Sequence, residues 1–153
     1  MRSAAFADGA PIPGQYTCEG ADRSPPLAWS GAPPATKSFA LICDDPDAPG
    51  KTWVHWVVYE LPGHLTQLPE GIPKTETLEE PADALQGMTD FRRVGYGGPC
   101  PPPGGPHRYF FKLCALDAAL GLRAGATKTQ LEQAMQGHVV AEAQLVGTYE
   151  RRR

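Results

Sequence analysis

Asp44-Asp45-Pro46-Asp47-Ala48-Pro49-Gly50 sets three carboxylates in four positions and stiffens them with two prolines. Carboxylates this close repel one another unless water or cations face them. The composition is that of an ordinary turn. It is also one way to aim a carboxylate into a pocket at the end of a strand. Two imidazoles stand in similar settings. His55 lies within Trp53-Val54-His55-Trp56-Val57-Val58-Tyr59-Glu60, and His107 opens the triplet His107-Arg108-Tyr109 directly after the Gly- and Pro-rich run from Gly95 to Pro106. A stiff loop that delivers titratable groups reads as a site rim; a Pro-rich crossover ending in His is the plain alternative.

Carboxylates beside imidazoles can act in three ways. As acid and base they serve hydrolases, which also need a nucleophile or a metal, and neither G-x-S-x-G nor H-E-x-x-H occurs. As ligands, two His and two Asp could hold a divalent cation, but D-P-D with an isolated strand His is not a standard metal spacing. As a binding site, Asp45 favours protonated imidazoles, and imidazolium with loop N–H groups accepts a compact anion. Rigid Gly/Pro walls lower the ordering cost. Asp45, His55, His107 and Tyr109 share a placement at strand ends beside Pro-rich turns and are expected to converge on one pocket, with no metal and no cofactor. Arg108, out of phase with His107 and Tyr109, is expected on the opposite face in a structural ion pair with a turn carboxylate.

Strands must position these groups. Lys37–Cys43 is short, apolar and closed by the Asp/Pro turn, the pattern of a buried strand. Trp53–Glu60 is the clearest strand, with Trp53, His55, Val57 and Tyr59 expected on one face and Val54, Trp56, Val58 and Glu60 on the other. Both sets are largely apolar, so His55 is expected to be buried and to need partners. His107–Leu116 alternates as a strand. Leu61–Arg93 has no sustained apolar period and reads as a long connection with at most a turn or two of helix. Thr127 and Gln130 form a capping-box pattern before a short helix ending at Gly137. Val139–Tyr149 reads as a closing strand, although its small residues would also suit a helix. Ile12 and Tyr16 are expected to pack inward.

At 153 residues, 41% apolar and 20% charged, the chain fits one domain with one core, spanning 1–153. Seventeen glycines and seventeen prolines argue for many turns. A formal charge of −3 offers no basic patch for nucleic acid. The Arg151–Arg153 run reads as a solvated tail. No apolar run approaches the roughly 18 residues of a membrane span, and the N-terminus has no signal-peptide core, which predicts a cytoplasmic protein. Cys18, Cys43, Cys100 and Cys114 show no metal spacing and are expected there as free thiols.

SPPLAW at 24–29, DDPDAPG at 44–50, WVHWVVYELP at 53–62, QGMTDF at 86–91, GYGGPCPPPGGPHRYFF at 95–111 and GHVVAEAQLVGTY at 137–149 together resemble the phosphatidylethanolamine-binding protein family, closest to its bacterial and archaeal Raf kinase inhibitor-like branch. The resemblance implies a mostly β fold, a Greek-key arrangement of antiparallel strands with a few short helices. It also implies a surface pocket for anions such as phosphate or a phosphorylated lipid headgroup. Asp45, His55, His107 and Tyr109 match the family's pocket residues, Gly98, Pro99 and Cys100 its lining loop, and Asp47 a supporting turn carboxylate. Val54 stands where eukaryotic members often carry a second histidine, and the chain is too short for their C-terminal helix, so kinase inhibition carries over poorly. A protein partner bearing a phosphorylated or acidic segment is the second function the resemblance implies, a His/Asp hydrolase a distant third, and a homodimer the assembly.

Overall fold

The computed structural model describes residues 1–151. After a 3-10 turn at Gly14–Tyr16, the chain forms β1 (Leu27–Ala28), β2 (Ser38–Asp45), β3 (Trp53–Pro62), β4 (Gln67–Leu68), β5 (Leu85–Gln86), β6 (His107–Leu116), α1 (Lys128–Met135) and β7 (Val139–Tyr149). The main sheet runs β5-β3-β2-β6-β7 with every neighbouring pair antiparallel, and β1 with β4 makes a small second sheet. The long connection after β3 carries the chain across to the far side of β2, a Greek-key-type crossing. All eight residues of β2 are buried, which is why that run is continuously apolar until its two aspartates. Two of the three arginines at the C-terminus lie outside the described residues; Arg151 is half-buried, its Nε 4.0 Å from a Glu19 oxygen.

Residues 139–149 are a strand because β6 pairs with them along their whole length. Tertiary pairing overrides the helical leaning of their small residues. The 61–93 connection contains no helix. It is held instead by Gln86, fully buried, which accepts from Trp56 Nε1 at 2.7 Å and donates to the carbonyls of Pro73 and Thr75 at 2.7 Å each. Ile12 and Tyr16 pack inward, as expected.

The strict alternation expected along β3 fails at His55. Cys43 pairs with Trp56 but Asp44 pairs with Val54, so His55 is an extra residue opposite one step of β2, a β-bulge. Val54 consequently packs with Val57 and Tyr59 beneath α1. His55 turns to the other side, edge-on to Tyr109 at 5.1 Å between ring centroids, and Tyr109 belongs to the cluster containing Trp56 and Val58. A second irregularity lies between the Phe39 and Leu41 pairings, where Glu60 adopts φ 56°.

On the helix side, Thr127 caps α1 reciprocally with Gln130, and Leu131 and Met135 bury against Ile42, Val57 and Leu116. Asp44, with no exposed surface, is held by Lys112 at 3.1 Å and by Lys128 of α1 at 2.7 Å. This ties the helix to the end of β2. Asp44→Ala removes the shared partner of two ammonium groups that are themselves partly solvated, and is expected to cost about 1–3 kcal/mol in urea denaturation. A loss below about 0.5 kcal/mol would show that the contact does not stabilise the fold.

Candidate functional site

The end of β2, the bulge of β3 and the start of β6 meet at one place. Asp45 is the last residue of β2 and pairs with Trp53 of β3. One of its oxygens, Oδ1, accepts from the Asp47 N–H at 2.7 Å and so closes the turn. The other, Oδ2, lies 2.7 Å from His107 Nδ1. A carboxylate oxygen can only accept here, so Nδ1 carries the proton and Nε2 is left for the cavity that the ring lines. Both groups are shielded, with side-chain exposures of 4% for Asp45 and 13% for His107. Next to them, Arg108 grips Asp47 through Nε and a terminal nitrogen at 2.9 Å each, while its backbone N–H donates to the same carboxylate. The guanidinium, hydrogen-bonded to it, holds Asp47 down at about 2. Arg108 is thus the structural partner of a turn carboxylate, and Asp47 supports the turn from outside the cavity.

His55 is 3% exposed. Its Nδ1 sits 2.6 Å from the Gly97 carbonyl, which fixes Nδ1–H as donor. Burial lowers its pKa below the ordinary histidine value and outweighs the opposing pull of the Gly97 carbonyl and the Asp45 carboxylate. Asp45 thus pulls His55 towards its charged form, as expected, but it bonds only His107, and desolvation outweighs the pull and keeps His55 towards its neutral form. Tyr109, the third strand residue, is 1% exposed and its hydroxyl has no hydrogen-bond partner among the described residues. Burial raises its pKa strongly, so the hydroxyl stays a donor.

These groups open on a cavity of about 290 Å³. Its polar residues are Asp45, His55, His107 and Tyr109; its walls are Trp53, Phe91, Ala48 and the prolines 49, 101 and 102, with Cys100 at the edge. Phe91 was not expected here. It arrives because Asp90 is pinned to the bulge, its carboxylate accepting from Val54 N–H at 2.7 Å while its own N–H donates to the Val54 carbonyl. Phe91 then meets Trp53 and His55 edge-on. A larger surface groove of about 580 Å³ runs between α1 and β6–β7, but its polar lining is exposed Glu132, Gln136, Glu142 and Gln144 with half-buried Lys112, and no buried donors converge on it.

Gly97, Gly98 and Pro99 stand behind the cavity and not around an anion, and of this loop only Cys100 lines it. The Gly97 N–H donates to the His55 carbonyl and the Gly98 N–H to Asp22 Oδ1 at 2.7 Å. Pro99 has no N–H, and its carbonyl accepts from Cys18. Gly98 and Pro99 are buried against the 16–22 segment, where a Cβ on Gly98 would lie 2.2 Å from the Tyr16 carbonyl oxygen. Cys18 and Cys100 form a disulfide across 82 positions, while Cys43 and Cys114 are free. The expectation of four free thiols is corrected for this pair: the hydrogen bonds of Gly98 and Pro99 with Asp22 and Cys18 bring the two Cα atoms to 5.4 Å, within bridging distance.

The model of the family described as "Phosphatidylethanolamine-binding protein" matches residues 2–150. The chain belongs to the phosphatidylethanolamine-binding protein family. Among its relatives, the "UPF0098 protein" of Methanothermobacter thermautotrophicus is 50% identical over 151 residues, covering 99% of this chain and 98% of that protein. The crystal structure of a phosphatidylethanolamine-binding protein homolog from Chlamydia trachomatis superposes with a TM-score of 0.89 at 42% identity, covering 99% of this chain and 96% of that one. Escherichia coli YbcL, described as a new member of the mammalian family, gives 0.91 at 35% identity, covering 98% and 96%. Family membership accounts for the mostly β, antiparallel architecture. No helix among the described residues is long and apolar enough to cross a membrane.

The His55 environment has a pH signature. Because burial lowers its folded-state pKa, the unfolded chain takes up the proton first, at about 6.5. The stability contributed by neutral His55 is full above that value and is lost as pH falls towards and through the folded pKa. NMR titration of the His55 ring is expected to give a midpoint below about 6.5. A midpoint above it would mean that the carbonyl and carboxylate outweigh burial.

Proposed function

We propose that this member of the family is a small-anion-binding module that takes a phosphate group or a phosphorylated headgroup in the cavity between His55, His107 and Tyr109, and is not a catalyst. The observation that carries the reading is the Tyr109 hydroxyl, buried, held protonated and without a hydrogen-bond partner among the described residues, on a side chain that lines the cavity. A buried donor left unpaired costs about 1–3 kcal/mol, which an entering acceptor recovers. His107, with its Nδ1 proton fixed by Asp45, offers Nε2 beside it. His55, kept towards neutrality, contributes no charge, and its Nε2 lone pair accepts from a protonated oxygen of the phosphoryl group. Aromatic and proline walls exclude water and strengthen these few polar contacts. Asp45 acts through His107 as a positioning residue, and Asp47 holds the turn that carries it.

The relatives bear no enzymatic names, and an Asp–His pair without a nucleophile in contact supports binding over turnover. Calorimetric titration with phosphate and phosphoethanolamine is expected to give saturable binding, with no hydrolysis of phosphoester, ester or peptide substrates. Tyr109→Phe, which removes one oxygen, should weaken that binding about tenfold. Unchanged affinity in the Phe variant would remove Tyr109 from the site, and turnover abolished by His107→Ala in a folded protein would replace the binding module with an enzyme.

A further inference from the structure

The front wall of the cavity is made by Cys100, Pro101 and Pro102, and little besides one covalent bond holds it. Four of the six residues from 101 to 106 are prolines, which cannot donate hydrogen bonds. Among the described residues, no hydrogen bond reaches positions 101–106. Pro101 is buried and residues 102–106 are exposed. Upstream, the loop is secured through Gly97, Gly98 and Pro99; downstream it resumes pairing at His107 and Arg108. Between these points the attachment is the Cys100–Cys18 disulfide. Its Cys18 side is firm. Thr17 is fully buried and bonds the Gly14 carbonyl through both its N–H and its hydroxyl, and the Tyr96 hydroxyl donates to the Tyr16 carbonyl at 2.7 Å. Both cysteines are half-buried, within reach of a small thiol.

We propose that the Cys18–Cys100 disulfide is a redox gate on the cavity, holding the Cys100–Pro102 wall in the binding form when oxidised and releasing it when reduced. The inference rests on the anion-binding reading above. The chemistry is thiol–disulfide exchange with a dithiol. One thiolate of the dithiol attacks a bridge sulfur, the S–S bond breaks to a mixed disulfide, and the second thiolate displaces the protein sulfur. The dithiol leaves as a cyclic disulfide, its two electrons transferred, and Cys18 and Cys100 end as thiols after protonation. Reduction leaves the bonds of Gly97, Gly98 and Tyr96 in place, so the change is confined to the wall. A loosened wall must be ordered again when an anion enters, and affinity falls by that amount.

The test uses the whole protein, oxidised and after treatment with a dithiol, with phosphoethanolamine as the probe. Affinity is expected to fall about tenfold on reduction, and NMR order parameters at Gly104 and Gly105 to fall while those of Gly97 and Gly98 stay unchanged. Cys18→Ala should show the reduced affinity in both conditions and respond to neither reductant nor oxidant. Equal or higher affinity in the reduced protein overturns the gate and leaves the anion site standing. Absence of binding in both states overturns the anion site, and the order parameters at Gly104 and Gly105 then decide the gate alone: unchanged values overturn it.

Discussion

The site depends on the two oxygens of Asp45. One closes the turn after β2 and the other fixes the imidazole at the start of β6, so a single buried carboxylate sets the distance between a turn and a strand that are about 60 residues apart in sequence. The neighbouring Asp47–Arg108 fork repeats the link on the exposed side. Asp44, one residue earlier, faces the opposite side of the sheet and holds α1. Three carboxylates that would repel in water are thereby separated, each against its own cation or donor, and the proline-stiffened turn is the geometry that separates them.

Burial then decides the chemistry. A bulge at His55 rotates that side chain towards Tyr109 and Phe91, where desolvation works against its charge. The N–H groups of Gly97 and Gly98 are occupied by the His55 carbonyl and the Asp22 carboxylate, and are not offered to an anion. What remains is a narrow set of polar atoms on an apolar cavity, among them the buried Tyr109 hydroxyl, which has no partner among the described residues. Such a site selects by position of a few polar atoms and not by accumulated positive charge, consistent with a chain whose net charge is −3.

Four strands of the main sheet were legible from local pattern, by a continuous apolar run for the strand buried on both faces and alternation for the others, and α1 by its capping box; β5, two residues inside the 61–93 connection, was not. The residues the structure brings to one cavity, Asp45, His55, His107 and Tyr109, all sit at strand ends beside Pro-rich turns, which is why sequence could group them. The bulge at His55 was invisible because it is a property of the pairing between two strands and leaves no mark on either alone. Phe91 enters through Asp90 bonding to the backbone of Val54, and Cys18 meets Cys100 through contacts of the intervening glycine and proline. Each of these depends on long-range backbone hydrogen bonds, for which neither periodicity nor composition carries a signal.

The most direct measurement is a crystal structure of the oxidised protein with phosphoethanolamine. The account predicts the phosphoryl group in the cavity, one oxygen within hydrogen-bond distance of the Tyr109 hydroxyl and another near His107 Nε2, with the rest of the molecule leaving past Cys100 and Pro102. A phosphoryl group bound instead in the groove between α1 and β7, with only water beside Tyr109, would contradict it.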